Sequence, residues 1–92
     1  MKECYNLKLI FKEFKSKENC SFAMSKLVVN IEKNFLSSKI IPISLNINNN
    51  EGELVLNFPN RKNYDKIINE IKYYLEKLKK EYYINNIELK EI

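Results

Sequence analysis

The stretch from Asn60 to Tyr82 places an apolar residue on every turn of a helix, and this feature most constrains what the chain can fold into. The stripe consists of Tyr64, Ile67, Ile68, Ile71, Leu75, Leu78 and Tyr82. Lysine and glutamate occupy most of the opposite side, as expected of an amphipathic helix. At 1.5 Å per residue the helix would be roughly 30 Å long, and another layer of structure must cover its stripe.

The size of the chain limits it to one folded unit. Its 92 residues, of which 45% are hydrophobic, are enough for one core and one domain over residues 1–92. Its apolar runs fall short of the roughly 20 residues needed for a membrane span, and the first residues do not lead into a signal-peptide segment. We therefore expect a cytoplasmic protein.

The remaining segments predict strands and one more helix. Apolar residues alternate from Tyr5 to Phe14, recur at helical spacing from Cys20 to about Leu36, and alternate again from Ile40 to Ile47 and from Glu53 to Phe58. Asn48 to Gly52 predicts a hairpin turn with a positive φ at the glycine. In the second strand the alternation places one set of side chains on one face: Ile41, Ile43, Leu45 and Ile47. A short last strand is predicted around Ile87 and Leu89.

The order strand, helix, strand, strand, helix, strand is typical of ferredoxin-like α+β domains. These have a four-stranded antiparallel sheet with both helices on one face. Right-handed crossovers put the first and third strands in the centre. The second strand is then at an edge, which suits Pro42 because proline has no amide hydrogen to donate to a neighbouring strand.

The sheet face that points away from the helices is the first candidate partner-binding surface. Because successive side chains of a strand point to opposite faces, this face should carry Lys8, Ile10, Lys12, Val55 and Asn57, together with Ser44, Asn46, Glu88 and Lys90. A second candidate surface is Tyr73 with neighbouring lysines such as Lys77 on the long helix. Ile10 and Val55 make the centre of the sheet face apolar enough to contact another protein, and homodimers can form through such faces.

A formal charge of +4 leaves nucleic acid as an alternative partner. Lys8, Lys12 and Lys90 could contact an RNA backbone. Val55 and Asn57, however, stand where an RNA-recognition sheet needs aromatic rings to stack bases. The sequence therefore favours a protein partner.

The composition does not favour catalysis. The chain has no histidine, a single aspartate and a single glycine, so acid–base pairs and phosphate-binding loops of the usual kind are not expected. Cys4 and Cys20 cannot complete a zinc site without further ligands and are interpreted as reduced thiols. We expect no enzyme activity, metal or cofactor.

The sequence resembles two classes of small protein that act by binding a larger one. The stretch from Leu45 to Phe58, with the long helix after it, resembles the small dimerising subunit of the KEOPS tRNA-modification complex, which implies docking on a larger catalytic subunit. Small glycine-poor domains of this kind also resemble phage-encoded inhibitors of host defence, including anti-CRISPR proteins, which cover a surface of a larger target. We predict a non-catalytic protein-binding module that acts by surface occlusion or scaffolding.

Overall fold

A computed structural model describes residues 5–35 and 39–92. Its elements follow the predicted order: β1 (Tyr5–Phe14), α1 (Lys17–Asn34), β2 (Ile41–Ile47), β3 (Glu51–Phe58), α2 (Arg61–Glu81) and β4 (Ile84–Glu91). Leu36, where α1 was predicted to end, and Cys4 lie outside the described residues.

The four strands form one antiparallel sheet in the order β2-β3-β1-β4. Leu9 of β1 lies opposite Leu54 of β3 and Leu89 of β4, and these residues face the helices. The predicted ferredoxin-like fold is confirmed, with β1 and β3 in the centre and β2, which carries Pro42, at one edge.

The core lies between the sheet and the two helices. Its fully buried members are aliphatic or aromatic, and they include Leu7, Leu9, Phe11, Met24, Leu27, Leu54, Leu56, Phe58, Ile71 and Leu78. The predicted α2 stripe is buried from Tyr64 to Leu78. Burying this much apolar surface supplies most of the stability of a small domain.

Side-chain caps fix where the helices begin. Ser16 Oγ accepts a hydrogen bond from the Asn19 amide at 3.1 Å, and Asn60 Oδ1 accepts one from the Asn63 amide at 2.9 Å. These bonds satisfy amide groups that the first helical turn leaves without partners. The helices are also joined to each other, because Lys26 Nζ lies 2.7 Å from a Glu81 carboxylate oxygen.

The turn between β2 and β3 is made by asparagine, and the predicted role of Gly52 is wrong. Asn48 Oδ1 accepts hydrogen bonds from the amides of Asn50 and Glu51, each at 2.8 Å. Gly52 lies within β3 and has no positive φ. A Cβ atom there would lie 2.6 Å from Cys20 Sγ, so the glycine allows α1 to approach the sheet closely.

The predicted face of β2 is wrong for Ile41 but is confirmed from Ser44 onward, with Ser44 and Asn46 on the open face and Leu45 and Ile47 on the helix side. A register shift between Pro42 and Ser44 breaks the alternation, so that Ile41 lies opposite Asn57 whereas Leu45 lies opposite Leu54. A β-bulge adds one residue to a strand and reverses the face of everything beyond it. Ile41 is therefore on the open face of the sheet, and Leu45 is on the helix side.

The last strand is longer than predicted. It begins at Ile84, which is buried and lies opposite Phe14 of β1. Tyr83, just before it, has a φ of 56°, and this single residue completes the reversal out of α2. β4 is thus a full edge strand of the sheet.

Candidate protein-binding surface

The structure brings the five predicted sheet residues together on the open face. Lys8 lies opposite Val55, Ile10 opposite Glu53 and Asn6 opposite Asn57 across the two central strands. Val55 is only 8% exposed, so its expected role as an exposed contact is wrong. Lys8, Ile10, Lys12 and Asn57 are half-buried.

The open face is not a basic groove. Lys8 Nζ lies 3.4 Å from a Glu53 carboxylate oxygen, and Lys12 Nζ lies 3.2 Å from one of Glu88. The register also places Glu51 opposite Lys12. The three lysines of the face, with Lys90 included, are matched by three glutamates. Sequence reasoning missed Glu51 because it began β3 at Glu53, and it left out Glu53 because it counted only Val55 and Asn57 of that strand on the face.

The most exposed aliphatic residues of the sheet lie on β2. Ile41 is 54% exposed, Ile43 is 53% exposed and Leu45 is 49% exposed. Large aliphatic side chains that are this exposed and follow one another along a single strand mark an interaction surface more often than isolated ones do. We call Ile41, Ile43 and Leu45 the β2 patch. Sequence reasoning placed all three on one face, opposite Ser44 and Asn46, and the alternation gave no sign that they are exposed.

The second predicted surface, around Tyr73, is exposed and lies beside a groove. The Tyr73 side chain is 67% exposed, and Lys77 Nζ lies 4.9 Å from the centre of its ring. The groove has a volume of about 560 Å³ and runs between the two helices, lined by Asn30, Asn34, Phe35, Asn69, Glu70, Tyr73 and Tyr74. Most of the exposed lining of the groove is apolar, although three amides and a carboxylate also line it. The β2 patch differs in consisting of aliphatic side chains alone.

A cluster at one end of the sheet joins β1, β4 and α2. The hydroxyl groups of Tyr5 and Tyr64 both donate hydrogen bonds to the Glu91 carboxylate, and Arg61 lies 4.9 Å from the centre of the Tyr5 ring. The bond from Tyr5, above all, lowers the pKa of Glu91. The pKa of Tyr5 is raised, chiefly by the same bond, and burial raises that of Tyr64. Because these bonds connect β1, β4 and α2, we interpret the cluster as structural.

The other reactive group within the described ranges is the Cys20 thiol. It is fully buried between α1 and β3, and burial raises its pKa to about 11. A thiol in that state is a poor nucleophile. Across residues 5–35 and 39–92, no three His, Cys, Asp or Glu side chains cluster as metal ligands would. Neither of the described helices has the length and apolarity to cross a membrane.

Comparisons with known proteins identify the fold. No protein-family model matches the chain, and no curated protein sequence matches it. A de novo designed protein, Foldit4, superposes with a TM-score of 0.66 at 12% identity, over 98% of this chain and 97% of its own. A dimeric ferredoxin-like protein from an uncultured marine organism gives a TM-score of 0.62 at 18% identity, over 98% and 87%.

A third similar structure contains the same fold as one part of a larger protein. It is a putative aminohydrolase from methicillin-resistant Staphylococcus aureus, with a TM-score of 0.64 at 14% identity. The match covers 97% of this chain but only 29% of that one. At these identities the likeness concerns architecture alone: the chain has a ferredoxin-like fold.

Proposed function

We propose that this protein is a non-catalytic protein-binding module whose binding surface is the β2 patch, which extends around the edge of the sheet from Ile41 on the open face to Leu45 on the helix side, together with the adjoining open face. The observation that carries the proposal is the exposure of Ile41, Ile43 and Leu45 in a single edge strand. Apolar area that becomes buried on association is the main favourable term in protein binding. The module would act by covering or scaffolding a surface of a larger protein.

The charge balance of the open face supports a protein partner over nucleic acid. Phosphate binding requires unpaired cations, because affinity comes from neutralising backbone charge. Lys8 and Lys12 are each within 3.4 Å of a carboxylate on the same face, so that of the three lysines named there only Lys90 lacks an ion pair among the described residues. The proposed partner therefore has an apolar and weakly charged surface. The dimeric ferredoxin-like protein described above supports self-association as a further property of this chain.

The test compares capture by two matched variants. The patch variant is Ile41→Ser with Ile43→Ser, and the control is Val29→Ser on α1, where the side chain is 60% exposed. Proteins that the wild-type chain captures from a cell lysate are identified and purified, and the affinity of each for the three chains is then measured. We expect the patch variant to bind at least tenfold more weakly, since two exposed aliphatic side chains are lost, and the control to bind as the wild type does.

Two results would overturn the proposal. One is a patch variant that folds normally and binds every purified partner as tightly as the wild type does. The other is strong retention on single-stranded polyuridylate that falls steeply between low and moderate salt, which is the signature of phosphate contacts. Circular dichroism of each variant shows that it is folded before its binding is measured.

A further inference from the structure

We propose that two copies of this chain associate through β4, edge to edge, into one continuous eight-stranded antiparallel sheet. β4 is the edge opposite the β2 patch, so this inference goes beyond the proposed function, and either can fail without the other. The proposed occupant of this edge is a second copy, because the charge pattern of β4 is complementary to itself.

The two edges of the sheet differ in how well they can accept another strand. β2 carries a proline and a register shift within its seven residues, and both features oppose the addition of a strand. β4 runs for eight residues from Ile84 to Glu91 and contains neither feature. Within the described ranges no strand pairs with its outer side. A long regular edge of this kind is a template for pairing.

One hydrogen bond shows which amide and carbonyl groups of β4 point away from β1 and are free to pair with another strand. The amide of Ile92 donates to the Asn6 carbonyl oxygen at 3.1 Å. Because the backbone groups of an antiparallel strand point alternately to one side and the other, even-numbered positions of β4 bond to β1. The amide and carbonyl groups of Ile87, Leu89 and Glu91 therefore point outward.

Charge selects one register for two antiparallel copies of β4. Centring the pair on Leu89 places Glu88 opposite Lys90 of the second copy, and Lys90 opposite its Glu88. If the pair were centred on Glu88 instead, Glu88 would lie opposite Glu88 of the second copy. If it were centred on Lys90, Lys90 would lie opposite Lys90. Opposite charges across a strand pair stabilise it and like charges destabilise it. Lys90 is exposed and has no ion-pair partner in the part of the chain that the structure describes.

The geometry of this register agrees with the backbone assignment. Leu89 pairs with Leu89 and Ile87 with Glu91, all positions whose backbone groups point outward, which gives about six hydrogen bonds between the copies. Glu88 and Lys90 then form non-hydrogen-bonded pairs, in which side chains are closest. The overlap extends from Asn86 to Ile92, roughly 23 Å at the usual rise of a strand.

A shallow apolar cavity lies beside this edge. It has a volume of about 220 Å³ and lies between α2 and β4, lined by Lys72, Leu75, Glu76, Ile87 and Leu89. Strand pairing at Leu89 would bring side chains of the second copy over it. Apolar burial would then add to the backbone hydrogen bonds.

The experiment uses charge reversal and mixing. Molar mass is measured by light scattering and sedimentation against concentration for the wild type, Glu88→Lys, Lys90→Glu and the double variant. We expect the wild type to dimerise and each single variant to do so roughly tenfold or more weakly, because attractive pairs become repulsive. An equimolar mixture of the two single variants, and the double variant alone, restore opposite charges at both positions and should restore the dimer.

A second measurement locates the interface. Hydrogen exchange at Ile87, Leu89 and Glu91 should slow as concentration rises, whereas exchange on β2 should not change. Glu32→Lys on the exposed side of α1 is the matched control for the charge change and should dimerise as the wild type does. A wild-type chain that stays monomeric up to millimolar concentration would overturn the proposal, as would a dimer whose strength is the same in all variants.

Discussion

Replacing Gly52 with alanine tests whether the close approach of α1 to the sheet is what requires glycine in β3. The new Cβ would lie 2.6 Å from Cys20 Sγ and 3.2 Å from Met24 Sδ. Both sulfur atoms belong to buried residues of α1, so the helix or the strand must shift. The surrounding core is closely packed and leaves little room for that shift.

Two opposing free-energy terms determine how much stability Gly52→Ala loses. Inserting a carbon into a packed core costs about 1–3 kcal/mol, and replacing glycine within a strand recovers roughly 0.5–1 kcal/mol of backbone entropy. The net loss is about 1 kcal/mol, with an upper limit of about 2.5 kcal/mol. For a domain of this size, a loss of about 1 kcal/mol lowers Tm by roughly 4–8 °C.

A double-mutant cycle in urea isolates the contact. The free energy of unfolding is measured for the wild type, Gly52→Ala, Cys20→Ala and the double variant. Cys20→Ala removes the sulfur that the new Cβ would meet, so the double variant should lose less stability than the sum of the singles, by about 1 kcal/mol. Strictly additive losses, or a Gly52→Ala chain as stable as the wild type, would refute the argument.

Two further predictions concern ionisable groups. Hydrogen bonds from Tyr5 and Tyr64 lower the pKa of Glu91, so its stabilising contribution is present at neutral pH and is lost as the pH falls through the lowered pKa. Between about pH 5 and pH 3 the wild type should therefore lose more stability than Glu91→Gln does, as urea titrations at each pH would show; equal losses contradict this. Burial raises the pKa of Cys20 to about 11, so at neutral pH iodoacetamide should modify Cys20 only in denaturant, which mass spectrometry detects. Rapid modification of Cys20 in the native protein would contradict its burial.

The sequence predicts those parts of this fold that depend on repeating patterns. The α2 stripe and the alternation in β1 each extend over enough residues for a single exception not to hide them. The order of the elements then restricts the sheet to one topology, because crossover handedness and the edge preference of Pro42 agree. The strand order follows from these local signals.

The features that the sequence does not predict each depend on a contact distant in the chain. The bulge after Pro42 puts Ile41 on the open face, and an alternation pattern cannot show one extra residue where residues 40–43 are all apolar. The crowding at Gly52 comes from Cys20, on another element. The balance of charge on the open face depends on Glu51 and Glu53 lying beside Lys12 and Ile10, which requires the register between β1 and β3.

Because β2 and β4 are opposite edges of the sheet, the two proposals together predict how many partner molecules a dimer binds. Pairing through β4 would leave a β2 patch at each far end of the eight-stranded sheet, so the dimer would be bivalent and could bind two partner molecules. Glu88 lies on β4, which β1 and β3 separate from the β2 patch, so Glu88→Lys should keep the affinity of a single β2 patch. As a monomer it should bind one partner per chain, and it should lose the avidity that two linked sites provide on a surface coated with partner. Light scattering of complexes with a captured partner measures the first effect, and dissociation from dense and sparse surfaces measures the second. Equal dissociation from both surfaces by the wild type would show that the two patches do not act together.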